Sequence, residues 1–163
     1  MGNRQIIDSR EKLIRELGDI LGMSNNEMTP YVDLTSQTID THVPQEYTDS
    51  DEDEELRGHE IVDIEPVSSR EGYEAMQRFA LQRQDMECDK LLKALSRRRP
   101  FANFRSAVEY LGILQEWYAF KKHAYEALAE ERLNDECLDV VDGKIIRKQP
   151  IFGQDLDEES DGE

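Results

Sequence analysis

The apolar residues of this 163-residue chain change their repeat part-way along, and that change limits the folds open to it. Tyr31-Val32-Asp33-Leu34 and Thr38-Ile39-Asp40-Thr41-His42-Val43 alternate and are rich in β-branched residues, with Thr35-Ser36-Gln37 as turn material between them. Period-two alternation around a polar turn predicts a β-hairpin. Glu60-Ile61-Val62-Asp63-Ile64-Glu65 predicts a third short strand, closed by Pro66. From Ser68 onward the spacing is helical. Tyr73, Met76, Phe79 and Ala80 form one stripe behind a Ser68–Glu71 pair with capping-box spacing. A second helix over about Asp85–Leu95 is expected to bury Cys88, Leu91, Leu92 and Leu95. Pro100 then stands where a helix starts, and Phe101, Phe104, Val108 and Leu111 share a face up to Gly112. The longest helix, about Leu114–Leu133, carries a wide apolar face of Trp117, Phe120, Ala124, Ala127 and Leu128 beside Tyr118 and Tyr125.

Two further segments complete the order. Leu13, Ile14, Leu17, Ile20 and Leu21 make a helical stripe near the start, capped by Asp8 or Ser9 and stopped by Gly22. Near the end, Asp142-Gly143 between two apolar dipeptides predicts a type I′ hairpin, because that dipeptide tolerates positive φ. Strands and helices are segregated, so the class is α+β rather than a parallel α/β sheet. The expected architecture is an N-terminal helix and a small antiparallel three-strand layer packed on a C-terminal unit of three to four helices. Residues 1–141 form a single domain with an acidic loop at 48–58, and residues 142–163 form a C-terminal extension with an acidic tail.

The charge is concentrated. Of a net −17, six acidic residues fall in Asp49–Glu55 and six in Asp155–Glu163, which leaves −5 for the rest. Such runs repel themselves and bury no apolar area, so both are expected to be solvated; docking a basic partner or mimicking nucleic acid is the alternative. No apolar run approaches the ~18 residues of a membrane helix. The first residues lack the apolar core of a signal peptide, and Cys88 and Cys137 make no disulfide framework. A cytoplasmic setting is expected.

Phe101, Phe104, Trp117 and Phe120 are expected to interlock as core, with an aromatic pocket for a base or a peptide as the alternative. Arg97, Arg98, Arg99 and Arg105, with Lys90, Lys93, Lys121 and Lys122 near them, are the one basic concentration and the candidate binding residues. Pairing with Glu109, Glu116 or the acidic runs is their expected state. The expected function is a non-catalytic protein-interaction or regulatory module, with a protein partner held through the acidic segments or the arginine turn ranked first. Nucleic acid or a nucleotide ranks second, because an acidic chain is repelled by a polyanion. A hydrolytic enzyme ranks third, with no Gly-rich phosphate loop, nucleophile elbow or local Cys-His pair to support it.

No cofactor and no metal are expected. Asp49, Asp51, Asp53 and Glu60 fall at calcium-loop spacing, but Glu54 occupies the position that needs glycine. His42, His59 and His123 have no ligand or nucleophile at a recognised spacing. Asp33 and Asp40 read as outward polar positions of the hairpin, with a carboxylate pair across it as the alternative.

The stretch Ala94-Leu95-Ser96-Arg97-Arg98-Arg99-Pro100-Phe101-Ala102-Asn103-Phe104-Arg105, with Glu116-Trp117-Tyr118-Ala119-Phe120 after it and Tyr73-Glu74-Ala75-Met76-Gln77-Arg78-Phe79 before it, is distinctive. It resembles the bacterial uncharacterised protein family 0158 of the UPF series over about residues 10–134. The resemblance implies a basic turn leading into a Phe-x-x-Phe-basic helix, then a Trp-Tyr-x-Phe helix. It implies no activity. Arg97, Arg99 and Pro100 stand where the family usually has small residues.

Overall fold

The structure, a computed structural model, describes residues 6–23, 28–42 and 56–149. Most of the acidic loop, with the calcium-like Asp49, Asp51 and Asp53, and all of the acidic tail lie outside them. The order is α1 (Arg10–Met23), β1 (Thr29–Asp33), β2 (Thr38–His42), β3 (Ile61–Asp63), α2 (Ser69–Gln82), α3 (Asp85–Leu95), α4 (Pro100–Leu111), α5 (Leu114–Asp135), β4 (Leu138–Val141) and β5 (Lys144–Arg147). Helices and two small antiparallel sheets give the expected α+β class. No described helix is long and apolar enough to cross a membrane.

The first sheet has the order β2-β1-β3, with Val32 opposite both Ile39 and Val62. Val32 and Val62 are buried in the core with Ile64, so the inner face of the sheet lies on the helices. α1 lies along α5, and Gly18 makes their approach possible. A Cβ there would come within 3.0 Å of Glu126 Cγ and 3.2 Å of its Cα. α2 begins as its capping box requires: Ser68 Oγ accepts from the Glu71 amide, and Glu71 accepts from the Ser68 amide.

The aromatic centre joins three helices. Phe79, Phe104 and Trp117 meet with ring centroids 5.0–6.3 Å apart. Half-buried Phe120 stacks on Trp117 at 6.2 Å and lies 5.5 Å from Phe79. Phe101 does not join them. It is 44% exposed, and this corrects its placement in the core. It stands in the first turn of α4, and the residue facing it is Gly72, whose missing side chain leaves the ring uncovered. On α5, Trp117, Ala124 and Tyr125 are buried, whereas Tyr118 and Ala127 are exposed. The apolar face is therefore narrower than its sequence suggests.

β4 and β5 pair around Asp142 and Gly143, which take the positive φ values of 54° and 76° that a type I′ turn needs. Ile145 of β5 is buried in the core. The Gln37 side chain joins this hairpin to the first sheet: Nε2 donates to the Leu34 and Ile145 carbonyls at 2.9 Å, and Oε1 accepts from the Ile145 amide at 2.6 Å. The boundary expected after residue 141 falls at the turn of this hairpin.

Candidate functional site

The arginine-bearing turn is the end of α3 passing into α4. Ser96 closes α3, and its hydroxyl donates to the Lys93 carbonyl. Arg99 then takes the left-handed conformation, φ 53°, as the residue preceding α4, a conformation that favours glycine. The turn holds because Asn103 Nδ2 donates to the Arg98 carbonyl at 2.6 Å and its amide donates to the Arg99 carbonyl. Pro100 opens the helix with φ already set.

Arg97, Arg98 and Arg99 are exposed, and among the described residues none of the three side chains makes an ion pair. The expected internal pairing with Glu109 or Glu116 is corrected for these three. Both acids lie a helix away from the turn, and only Arg105 is near enough. Arg105 meets Glu109 Oε2 at 3.3 Å and donates to the Tyr118 hydroxyl at 3.1 Å. That ion pair is exposed on both sides and contributes little.

Two concavities flank Phe101. On one side an open, mainly apolar groove of about 740 Å³ runs between α2 and α4, bounded by Tyr73, Gln77, Arg99, Pro100 and Phe101. On the other a cleft of about 410 Å³ reaches in to Trp117, Lys121 and Tyr125, with Arg105 at its side. Burial, and then the nearby Arg105, push the Lys121 ammonium below its ordinary pKa. Burial, and then Glu71, push the Tyr125 phenol up. Behind the cleft, Arg132 ties α5 to the entry of α2. Its guanidinium donates to both Glu71 oxygens at 2.7 and 3.1 Å and to the Glu65 and Pro66 carbonyls at 2.9 and 3.0 Å.

A second polar cluster lies on the first sheet, away from the arginines. Asp33 is buried, which corrects its reading as an outward position. It faces Thr38, whereas Asp40 faces Tyr31, so the two carboxylates are not paired across the hairpin. Asp33 caps its own turn by accepting from the Thr35 and Ser36 amides, and its other oxygen meets His59 Nδ1 at 2.6 Å. Burial works to raise this carboxyl, but the bonds from His59 and Ser36 prevail and hold it below its ordinary value. His42 Nε2 likewise meets Asp63 at 3.1 Å. These pairs span 26 and 21 residues, so local spacing could not find them; the turn residues after Asp33 were the available signal. Removing the carboxylate strands three donors. Asp33→Ala is expected to lower stability by about 1–3 kcal/mol, read as a shift of the urea midpoint at unchanged slope.

Among the described residues no group of three or more His, Cys, Asp or Glu side chains could hold a metal ion. Among the described residues His59 makes its one side-chain hydrogen bond to Asp33, which orients the imidazole. What the arginine turn offers instead is open charge beside an open apolar surface.

The basic turn, the Phe101–Phe104 helix and the Trp117–Phe120 helix are adjacent in space as well as in sequence, and a family model for an uncharacterised protein family, UPF0158, matches residues 9–160. The chain belongs to UPF0158. No curated protein and no solved structure matches it. The family match spans the arginine turn, the groove, the cleft and both His–Asp pairs.

Proposed function

We propose that this UPF0158 chain is a non-catalytic binding module that holds an acidic segment of a partner protein across the start of α4. One observation carries the reading: Arg99, the last of three exposed arginines that pair with no carboxylate among the described residues, lines an apolar groove from which Phe101 projects. A buried aromatic anchor ringed by charge is how protein interfaces concentrate their energy. An exposed aromatic beside an unfilled groove is the free form of such an anchor. Charge complementarity selects the occupant: carboxylates for Arg97, Arg98 and Arg99, and one apolar side chain for the groove. The N-terminal amides of α4 add to the same positive potential.

The same exposed arginines favour a second reading, contact with nucleic-acid phosphate. The two differ in a simple test. Wild-type protein is expected to shift neither a DNA duplex nor a single strand at ~0.15 M salt, because phosphate contacts strong enough to overcome the chain's own acidity would require more cations than this turn holds. A clear shift by the wild type, lost when Arg97, Arg98 and Arg99 are all replaced by Ala, would overturn the protein-partner reading in favour of the second.

A further inference from the structure

The cleft on the inner side of Phe101 has a chemistry of its own. One wall is aromatic, formed by Trp117 and Phe101; the polar end carries Lys121 and Arg105. Among the described residues Lys121 Nζ reaches the Gly22 carbonyl at 3.4 Å and the face of the Tyr125 ring at 5.3 Å. Among the described residues no carboxylate pairs with it. Of the two cations only Arg105 has an acidic partner, and that pair is solvent-exposed. A half-buried ammonium that meets no counter-charge among the described residues is disfavoured as it stands, and a bound anion relieves it.

The two glycines at the cleft point the same way. Gly72 lies in the first turn of α2 without positive φ, where alanine would favour the helix. A Cβ there would meet Tyr125 Oη at 3.5 Å and Phe101 Cζ at 3.8 Å, both ordinary contacts. Neither backbone nor packing therefore requires glycine. Its effect is to leave open the space between the Tyr125 hydroxyl and the Phe101 ring. Gly22, near the end of α1, repeats this on the facing side, with Tyr125 Cδ2 at 3.6 Å and Lys121 Cε at 3.9 Å from its Cβ position.

The geometry points to a small-ligand site: this cleft binds an organic anion, one carboxylate or phosphate group on a planar body, with the charge at Lys121 and Arg105 and the body against Trp117 and Phe101. Its volume of about 410 Å³ lies within the size range of ligand pockets. The site does not depend on the protein-partner reading, which uses the opposite side of Phe101.

Trp117 is the chain's single tryptophan, so its emission reports the cleft directly. The full chain is titrated with phenyl phosphate, with benzoate, and with benzyl alcohol as the neutral analogue. A saturable change is expected with at least one of the two anions, the stronger of them naming the charged group, and binding of the alcohol weaker by roughly tenfold or more. Lys121→Met should cost a similar factor. Gly72→Ala should also weaken binding by roughly tenfold, with a melting temperature no lower than wild type, a combination that a purely structural role for this glycine does not produce. The absence of a saturable change with both anions would overturn the site. So would a Gly72→Ala chain that binds like the wild type, and this second variant keeps the test decisive if Lys121→Met fails to fold.

Discussion

Replacing Phe104 by alanine is expected to destabilise the fold by about 3–5 kcal/mol, the range for removing a fully buried ring. Phe104 is 1% exposed, and it contacts Phe79 and Trp117 edge-to-face at centroid distances of 6.3 and 5.0 Å. The ring is the wedge between α2, α4 and α5, so its loss leaves a cavity that three helices cannot close together. Chemical denaturation should show the midpoint fall at constant slope. A loss below about 1 kcal/mol would mean that the site collapses without cost, contrary to the packing. Phe101→Ala, made alongside, should cost far less, because a ring 44% exposed has little transfer energy to lose.

Arg132→Ala should be the other large effect. The variant takes the guanidinium from both Glu71 oxygens, leaving Glu71 the Ser68 amide, and from the carbonyls of Glu65 and Pro66 at the entry to α2. Removing one partner of a buried pair costs about 3–5 kcal/mol, and Glu71, 28% exposed at its side chain, places the expected loss near the lower end. The pH dependence has a definite sign. The hydrogen bonds from Arg132 hold the Glu71 carboxyl below its ordinary value of 4.5 against the opposing effect of burial. The folded state thus binds that proton less readily than the unfolded chain. Its contribution is fully present above about pH 4.5 and is lost as pH falls through the lower folded value. Melts from pH 7 downward should show this acid limb in the wild type and a shallower one in Arg132→Ala. Equal limbs would place the acid sensitivity elsewhere, with Asp33 the next carboxylate to test, since its pKa is also depressed.

Local rules carried much of this fold. The capping box at Ser68 and Glu71, the stop at Gly112 and the Asp142-Gly143 turn each depend on neighbours a few residues apart, and each appears as the sequence implies. The features that escaped depend on distant partners. β3 pairs with β1 rather than extending the hairpin on its other edge, and nothing in Ile61-Val62-Asp63 specifies which edge it joins. Arg132 lies 61 residues from Glu71 and reads, in its own helix, as one more exposed cation. His59 finds Asp33 only because the chain returns beside the first turn of the sheet.

The candidate site divides along the same line. The arginine turn is visible in four consecutive residues, Arg97-Arg98-Arg99-Pro100, and the structure exposes it as an interaction surface would need. Helical periodicity placed Phe101 with Phe104, since both fall on the apolar side of α4. Periodicity says which side of a helix is apolar; it does not say whether the opposing helix presents a side chain at that height. Here α2 presents Gly72, and a residue expected in the core becomes the ridge between a groove and a cleft. Lys121 was legible as a nearby cation, and its enclosure depends on α1 and α2 both packing on α5 at either side of the cleft.

The most direct test of the binding reading is photo-crosslinking from position 101. A photoreactive phenylalanine analogue replaces Phe101 in the full chain, expressed in its native host, and the cross-linked peptides are sequenced. One protein partner is expected, captured through an acidic segment that carries an apolar residue at the point of attachment, with the product lost when Arg97, Arg98 and Arg99 are all changed to Ala. Cross-links that spread over unrelated neutral or basic peptides, or that persist undiminished in the triple variant, would contradict it.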